Sequence, residues 1–152
     1  MGALDVARWR KVAEVAGRQH GLITTAQLHS SGVGKGGIEK AVKAGRLWRV
    51  HLGVYAVGHP ALSREATWQA AVLACGADAA LSHRSAATLW KIRKAELARV
   101  EVTVCTDGTH RRPGILIHSS PLSVSDVVEN HGIRVTSPAR TAVDMAHALH
   151  DP

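Results

Sequence analysis

A chain of 152 residues with 45% apolar side chains is long enough for one ordinary domain or two small ones and can bury a core. Its formal net charge of +7 and its pI near 10.1 favour a polyanionic partner, because a basic surface displaces the counterions condensed on a nucleic acid. No apolar run approaches the ~20 residues that cross a bilayer, and Cys75 and Cys105 lack the spacing of a zinc site or a disulfide framework, so we expect a soluble, cytoplasmic protein without a membrane partner.

The N-terminal segment predicts an amphipathic helix over residues 5–19. Its apolar residues recur at the spacing of one helical face, while its charged residues fall elsewhere on the wheel. The residues expected to face inward are Val6, Trp9, Ala13 and Ala16.

A second helix is predicted to begin at Thr25. Thr24 and Gln27 fit a capping box, in which the threonine hydroxyl and the glutamine side chain each satisfy a backbone amide that has no helical partner. Ile23 and Leu28 occupy the two positions of a hydrophobic staple.

A third helix is predicted after a tight connection, residues 32–34, and should end at Gly45. Its inward face should carry Ile38, Ala41 and Val42, and its outward face Lys35, Glu39, Lys40 and Lys43. Two short helices joined in this way indicate a helix-turn-helix, whose second helix enters the major groove of DNA. Glycines at positions 34, 36 and 37 offer few groups for base edges, so phosphates and groove shape should carry much of the binding.

A β-hairpin follows, with strands at residues 46–50 and 54–57 and a three-residue loop at 51–53, which completes a winged helix-turn-helix. Positive charge is concentrated in this half: residues 1–60 carry nine basic and three acidic side chains, net +6, and residues 61–152 carry ten and nine, net +1. We therefore predict an interface with double-stranded DNA formed by Thr25, Lys35, Lys40, Lys43, Arg46, Arg49 and His51.

The predicted fold class is α+β: a winged helix-turn-helix domain over residues 1–58, a linker near 59–61, and a small α+β domain over residues 63–152. In the second domain, Ser63, Ser82 and Ser137 are placed to cap helices, and strands are expected near residues 100–104, 115–117, 127–128 and 133–135. The last helix should pair Arg140 with Asp144 and turn inward Ala142, Met145, Ala146 and Leu149.

Catalytic and metal-binding patterns are weak. Ser82, His83, Ser85 and Asp144 supply the residue types of a hydrolase triad, but the Gly-x-Ser-x-Gly turn that exposes a nucleophile is missing. His147 and His150 are close in sequence but have no third ligand nearby. We therefore expect neither an enzyme, nor a bound metal, nor a cofactor.

Residues 12–57 resemble the N-terminal winged-helix domain of AbiEi-type antitoxins, which belong to type IV toxin–antitoxin systems. The resemblance continues beyond this domain, and it is carried by residues 21–24, 26–28, 44–50, 53–55, 58–60, 81–87 and 137–141. It implies a transcriptional regulator that represses its own operon and is paired with a nucleotidyltransferase toxin.

Two alternatives remain open. Similar N-terminal regions also precede domains like very-short-patch-repair endonucleases, and in the first alternative the chain is the DNA-targeting fragment of such an enzyme. In the other alternative the winged helix is a protein-interaction module, and its basic charge is incidental. The sequence leaves open the oligomeric state, the operator and the role of the second domain.

Overall fold

The computed structural model describes residues 2–95, 99–106 and 111–150 and divides them into two units between Ala70 and Ala71. The division falls inside the helix Arg64–Ala74, which follows the linker predicted at residues 59–61. None of the helices in these three stretches has the length and apolar character needed to cross a bilayer.

The N-terminal unit contains a helix-turn-helix and a three-stranded sheet. Its elements are α1 (Ala3–Gly17), β1 (Leu22–Thr24), α2 (Thr25–Ser30), α3 (Lys35–Lys43), β2 (Leu47–His51) and β3 (Val54–Val57). β3 pairs antiparallel with both β1 and β2, which gives the strand order β1-β3-β2. This architecture is the predicted winged helix-turn-helix with one additional strand, β1, which is too short to show an alternating pattern in the sequence.

The predicted capping box at the start of α2 is confirmed. The Gln27 backbone N–H donates to Thr24 Oγ1 at 3.2 Å, and the Thr24 N–H donates to Gln27 Oε1 at 3.0 Å. The side-chain amides of Gln19 and Gln27 also exchange hydrogen bonds of 2.9 Å, which tie the turn after α1 to α2. Ile23 and Leu28, the predicted staple, are both fully buried.

We expect Thr24→Ala to lower the free energy of unfolding of the N-terminal unit by ~1 kcal/mol, because the Gln27 amide loses its acceptor. The matched control is Thr25→Ala, which removes the same hydroxyl one position after the cap and should change stability by less than ~0.5 kcal/mol. Urea unfolding of both variants measures the difference. Equal losses would contradict the capping role of Thr24.

The inward face of α1 differs in part from the prediction, since Ala16 is buried and Trp9 packs against the core as expected. Val12 is fully buried and Val15 packs against the core, whereas Val6 is 43% exposed and Ala13 is exposed. The buried face of the helix is thus centred on Val12, which belongs to the same core cluster as the staple residues Ile23 and Leu28. The core of this unit consists of Val12, Ile23, Leu28, Val33, Ile38, Ala41 and Leu47.

The C-terminal unit contains a mixed five-stranded sheet with the order β6-β5-β4-β8-β7. After α4 (Arg64–Ala74), its elements are β4 (Ala80–Leu81), α5 (His83–Leu89), β5 (Val100–Val104), β6 (Ile115–Ser119), β7 (Val127–Asn130), β8 (Ile133–Thr136) and α6 (Pro138–His150). β5 is parallel to β6 and antiparallel to β4, while β8 is parallel to β4 and antiparallel to β7. All five residues of β5 are buried, including Glu101 and Thr103, so this strand is not the half-buried one that its alternation predicts.

The inward face of α6 is polar, which corrects the prediction. Thr141 and Asp144 are buried, Met145 is half-buried, and Leu149 is 81% exposed. The predicted Arg140–Asp144 pair is confirmed, with Arg140 Nε donating to Asp144 Oδ1 at 2.9 Å. This pair and the 2.7 Å contact between the Thr136 and Thr141 hydroxyls fix the rotation of α6, and the alanine stripe faces outward.

Candidate nucleic-acid interface

The outward face of α3 carries three of the seven residues of the predicted interface. Ile38 and Ala41 are buried and anchor the helix, which leaves Lys35, Glu39, Lys40 and Lys43 exposed. Val42, predicted to face inward, is 41% exposed because it lies at the flank of the buried stripe. The exposed face therefore presents three lysines against one glutamate.

Apart from Lys35, the exposed part of the first turn of α3 is glycine backbone. Its N-cap, Gly34, makes no side-chain cap, and a Cβ added at Gly36 would meet nothing within 4 Å. A surface in close approach to this turn would therefore contact backbone amides and the single side chain of Lys35.

Backbone hydrogen bonds fix the position of the wing relative to α3. The Arg46 N–H donates to the Ala41 carbonyl at 2.9 Å, across the turn in which Gly45 adopts a φ of 75°. The Gly58 N–H donates to the Arg46 carbonyl at 2.9 Å and closes the base of the hairpin. These backbone hydrogen bonds therefore hold α3 and the wing in a fixed arrangement.

The wing turn lies beside the start of α2. β2 extends to His51, with a register shift between Arg49 and His51, so the predicted three-residue loop is a shorter turn with Leu52 at its tip, 69% exposed. The Thr25 N–H donates to the Gly53 carbonyl at 3.0 Å. The structure thereby brings Thr25 next to the wing turn, where Arg49 is exposed and His51 is half-buried.

Arg46 lies away from the wing turn. Its guanidinium stacks over the Trp9 ring of α1 at 4.6 Å from the centroid, as in a cation–π pair. It lines a cleft of about 270 Å³ with Arg8, Lys40 and the glycines around the start of α3. Arg8 was not predicted, because its place beside Gly32 depends on how α1 packs and not on any local pattern.

The triad residue types in the C-terminal unit are not arranged for nucleophilic attack. Ser82 is fully buried, and its Oγ accepts a 2.7 Å hydrogen bond from the Thr103 hydroxyl and lies 2.9 Å from His83 Nδ1. Asp144 binds Arg140 instead of a histidine. Ser82 was expected to cap α5, but its side chain makes no cap hydrogen bond. Glu101 Oε2 instead accepts a hydrogen bond of 2.9 Å from the Arg84 N–H in the first turn of α5.

A pair of stacked histidines lies beside Glu101. The ring centroids of His83 and His118 are 3.6 Å apart, and the ring planes are inclined by 14°. His118 Nε2 donates a hydrogen bond of 3.1 Å to Glu101 Oε1. Burial, and then the charge of His118, lower the pKa of His83, whose φ of 51° is unusual for a residue with a side chain. Burial raises the pKa of Glu101, but the bonds from His118 and from the Arg84 amide outweigh it, and that pKa is lowered.

From these two pKa shifts we expect the stability of the C-terminal unit to fall as the pH falls. The folded state favours neutral His83, so as the pH falls below about 6.5 the histidine of the unfolded chain is protonated first. The free energy of unfolding therefore decreases between about pH 6.5 and the lowered pKa that His83 has in the folded state. Glu101 acts in the same direction at lower pH, since its stabilisation is full above about 4.3 and is lost as the pH falls through its depressed folded pKa.

We expect His83→Asn to flatten the loss of stability between about pH 7.5 and about pH 5.5, because asparagine tolerates the backbone conformation and does not titrate. Urea unfolding followed through the amide NMR signals of β5 measures this unit alone. His150→Asn, at an exposed residue of α6, is the control and should keep the wild-type pH dependence. If the stability of His83→Asn depended on pH in the same way as that of the His150→Asn control, His83 would not be the group responsible.

Two family models match the chain, one for each half. Residues 10–58 match the model described as a transcriptional regulator, AbiEi antitoxin, and residues 71–152 match the model described as the AbiEi antitoxin C-terminal domain. No curated protein shows a match to the chain. The first match covers the helix-turn-helix and its wing, and the second covers the sheet of the C-terminal unit, so the resemblance found in the sequence motifs is confirmed.

Proposed function

The chain belongs to the AbiEi antitoxin family of transcriptional regulators, and we propose that it binds double-stranded DNA upstream of its own operon and represses transcription from it. The observation that carries this proposal is the basic, exposed face of α3, joined by backbone hydrogen bonds to a wing that presents Arg49. A helix-turn-helix places such a helix in the major groove.

The proposed contacts fall into two groups. Lys35, Lys40 and Lys43 lie along α3 and reach phosphates on the two sides of the major groove. The second group lies at the wing turn, where Thr25, Arg49 and His51 contact the neighbouring phosphates of the DNA. Arg46 contributes from the cleft beside Trp9, where it and Lys40 raise the local positive charge.

Recognition of sequence is proposed to depend largely on DNA shape. The first turn of α3 carries no side chain at Gly34, Gly36 or Gly37, so Lys35 is the one exposed side chain of that turn that can reach a base edge. Binding then depends on the free energy that each DNA sequence needs to adopt the groove width of the complex, so sequences that deform easily are bound more tightly.

The proposed biological setting is a toxin–antitoxin operon in the cytoplasm, in which the cognate toxin is a nucleotidyltransferase and this chain itself catalyses no reaction. The family to which both halves of the chain belong supports a toxin partner in general, and the nucleotidyltransferase is what the resemblance in the sequence motifs implies. A nucleotidyltransferase gene next to the gene for this chain would support the proposed pairing directly.

An electrophoretic mobility shift with DNA from upstream of the operon tests the proposal. We expect a complex at low salt, and repression of a reporter fused to the same DNA. If no complex forms even at low salt, the DNA-binding proposal is wrong. Cleavage of the DNA by this chain after addition of magnesium would instead overturn the statement that it is not an enzyme.

A further inference from the structure

The cleft of about 270 Å³ in the N-terminal unit lies between α1 and α3 and is strongly basic. Its cations are Arg8 from α1, Lys40 from α3 and Arg46 from the turn after α3. Asp5 is the one acidic side chain among the described residues that line it, so the lining carries three positive charges against one negative charge. A concave basic site attracts anions more strongly than a flat surface, because its walls concentrate the electric field.

The cations of this cleft are largely unpaired. Arg8 Nη1 lies 3.7 Å from Asp5 Oδ1, and because the two side chains are 45% and 51% exposed, this ion pair is weak. In the part of the chain that the structure describes, neither the Lys40 ammonium nor the Arg46 guanidinium has a hydrogen-bond or ion-pair partner. Their N–H donors are therefore available to a ligand.

Packing positions two of the three cations at the cleft. The Arg46 guanidinium lies over the Trp9 ring, 4.6 Å from its centroid, and no acceptor takes its N–H donors there. The stem of Arg8 lies over Gly32, where an added Cβ would be 3.2 Å from Arg8 Cγ and Nε. Side chains that are already ordered lose less conformational freedom when a ligand binds, so these contacts favour binding.

A glycine keeps the cleft open at the start of α3. Gly34 lines the cleft, and a Cβ added there would meet nothing within 4 Å. Its φ of −86° and ψ of −179° are accessible to any residue, so the backbone conformation does not require glycine at this position. What the glycine provides is space beside the three cations.

The size and the donors of the cleft fit one phosphate group. Its volume is below the ~300–1,000 Å³ of pockets that bury a drug-sized ligand. Arginine forms bidentate hydrogen bonds with phosphate oxygens, and lysine binds phosphate as a point charge. The tetrahedral oxygens of a phosphate can accept from donors on both α1 and α3, whereas the two oxygens of a carboxylate lie in one plane.

We propose that this cleft binds a single phosphate group between α1 and α3, held by Arg8, Lys40 and Arg46. A phosphate of the DNA backbone and the phosphate of a small phosphorylated molecule present the same chemistry. With DNA as the source, Arg8 adds α1 to the interface formed by α3 and the wing. With a small molecule as the source, its phosphate competes with DNA for Lys40 and Arg46. Only these consequences for DNA rest on the proposed function, and the phosphate site itself does not.

Titration of the full chain, labelled with nitrogen-15, with inorganic phosphate tests the site without DNA. We expect saturable shifts in the NMR signals of the Arg8 and Arg46 side chains and of the Gly34 and Gly37 amides, and none with acetate at the same ionic strength. Arg8→Gln should weaken phosphate binding about tenfold, whereas Arg10→Gln, at an exposed residue of α1 outside the cleft, should not. The absence of saturable shifts, or equal weakening in both variants, would overturn the proposal.

A second pair of variants tests the cleft without weakening the fold. Gly34→Asp places a carboxylate at the N-cap of α3, where aspartate is a favoured residue, so the chain should stay folded while charge repulsion abolishes phosphate binding. Gly34→Asn occupies the same space without a charge and should keep most of the binding. Phosphate binding of wild-type affinity by Gly34→Asp would overturn the proposal.

The upstream DNA distinguishes the two sources of the phosphate. If a backbone phosphate occupies the cleft, Arg8→Gln should flatten the slope of log K against log salt by about one phosphate contact, and Arg10→Gln should not. If a small phosphorylated molecule is the source, both variants should keep the wild-type slope. A chain that binds inorganic phosphate but no DNA would contradict the proposed function and support this site. A chain that binds DNA but shows no saturable phosphate shift would contradict this site alone.

Discussion

Replacing Lys40 and Lys43 together by glutamine is expected to weaken binding to every DNA sequence, and to flatten the slope of log K against log salt by about two phosphate contacts. At ~0.1 M salt this corresponds to a loss of roughly fiftyfold in affinity. Both side chains are exposed on the face of α3 opposite the buried Ile38 and Ala41. Fluorescence anisotropy with the operon DNA and with an unrelated duplex measures the effect.

Two matched variants distinguish position from total charge. Lys91→Gln with Lys94→Gln removes the same charge from exposed residues of the C-terminal unit and should leave affinity nearly unchanged. Glu39→Gln, on the outward face of α3, should strengthen binding, because it removes repulsion of phosphates. A loss confined to the operon sequence would show that the lysines read bases, and no loss at all would show that α3 does not face DNA.

The second large effect is expected for Arg140→Ala, which should lower the free energy of unfolding of the C-terminal unit by about 3 to 5 kcal/mol. Arg140 donates to Asp144, to Asp126 at 3.0 Å, to the Ser120 hydroxyl at 2.9 Å and to the Pro121 carbonyl at 2.9 Å. Asp144 is buried, and its Oδ2 already has no hydrogen-bond partner in the described structure. Without Arg140 the carboxylate would be both buried and unpaired.

A double-mutant cycle separates this cost from the net value of the pair. Arg140→Ala with Asp144→Ala should be less destabilised than the sum of the single changes, because the unpaired charge is removed with its partner. Arg140→Lys keeps the charge but cannot bridge Asp144, Asp126 and Ser120 at once, and should lose part of the stability. Additive losses in the cycle would contradict a direct coupling. Urea unfolding read from the β5 amides is the measurement.

Local signals in the sequence determine much of the N-terminal unit. The capping box at Thr24, the staple at Ile23 and Leu28, and the connection that starts at Gly32, whose φ is 92°, each depend on a few neighbouring residues. They can therefore be recognised without knowledge of the tertiary structure. The hairpin was predicted from its two apolar strands and Gly53, although the register shift in β2 shortened its loop.

Features that depend on tertiary packing were not predictable in this way. β1 and β4 have three and two residues and exist as strands only through pairing with distant segments. The stacking of Arg46 on Trp9 likewise joins residues far apart in sequence. In α6 the apolar pattern indicated the wrong face, because the hydrogen bonds of Arg140 and Thr141 outweigh the burial of small alanine side chains.

The most direct test of the account is the salt dependence of binding by the intact chain to its own upstream DNA. If α3 and the wing neutralise about six phosphates, affinity measured by fluorescence anisotropy should fall about a thousandfold between about 50 and about 200 mM potassium chloride. An affinity that changes less than about threefold over this range would contradict it, because that is the behaviour of an apolar protein interface and not of a phosphate-binding surface.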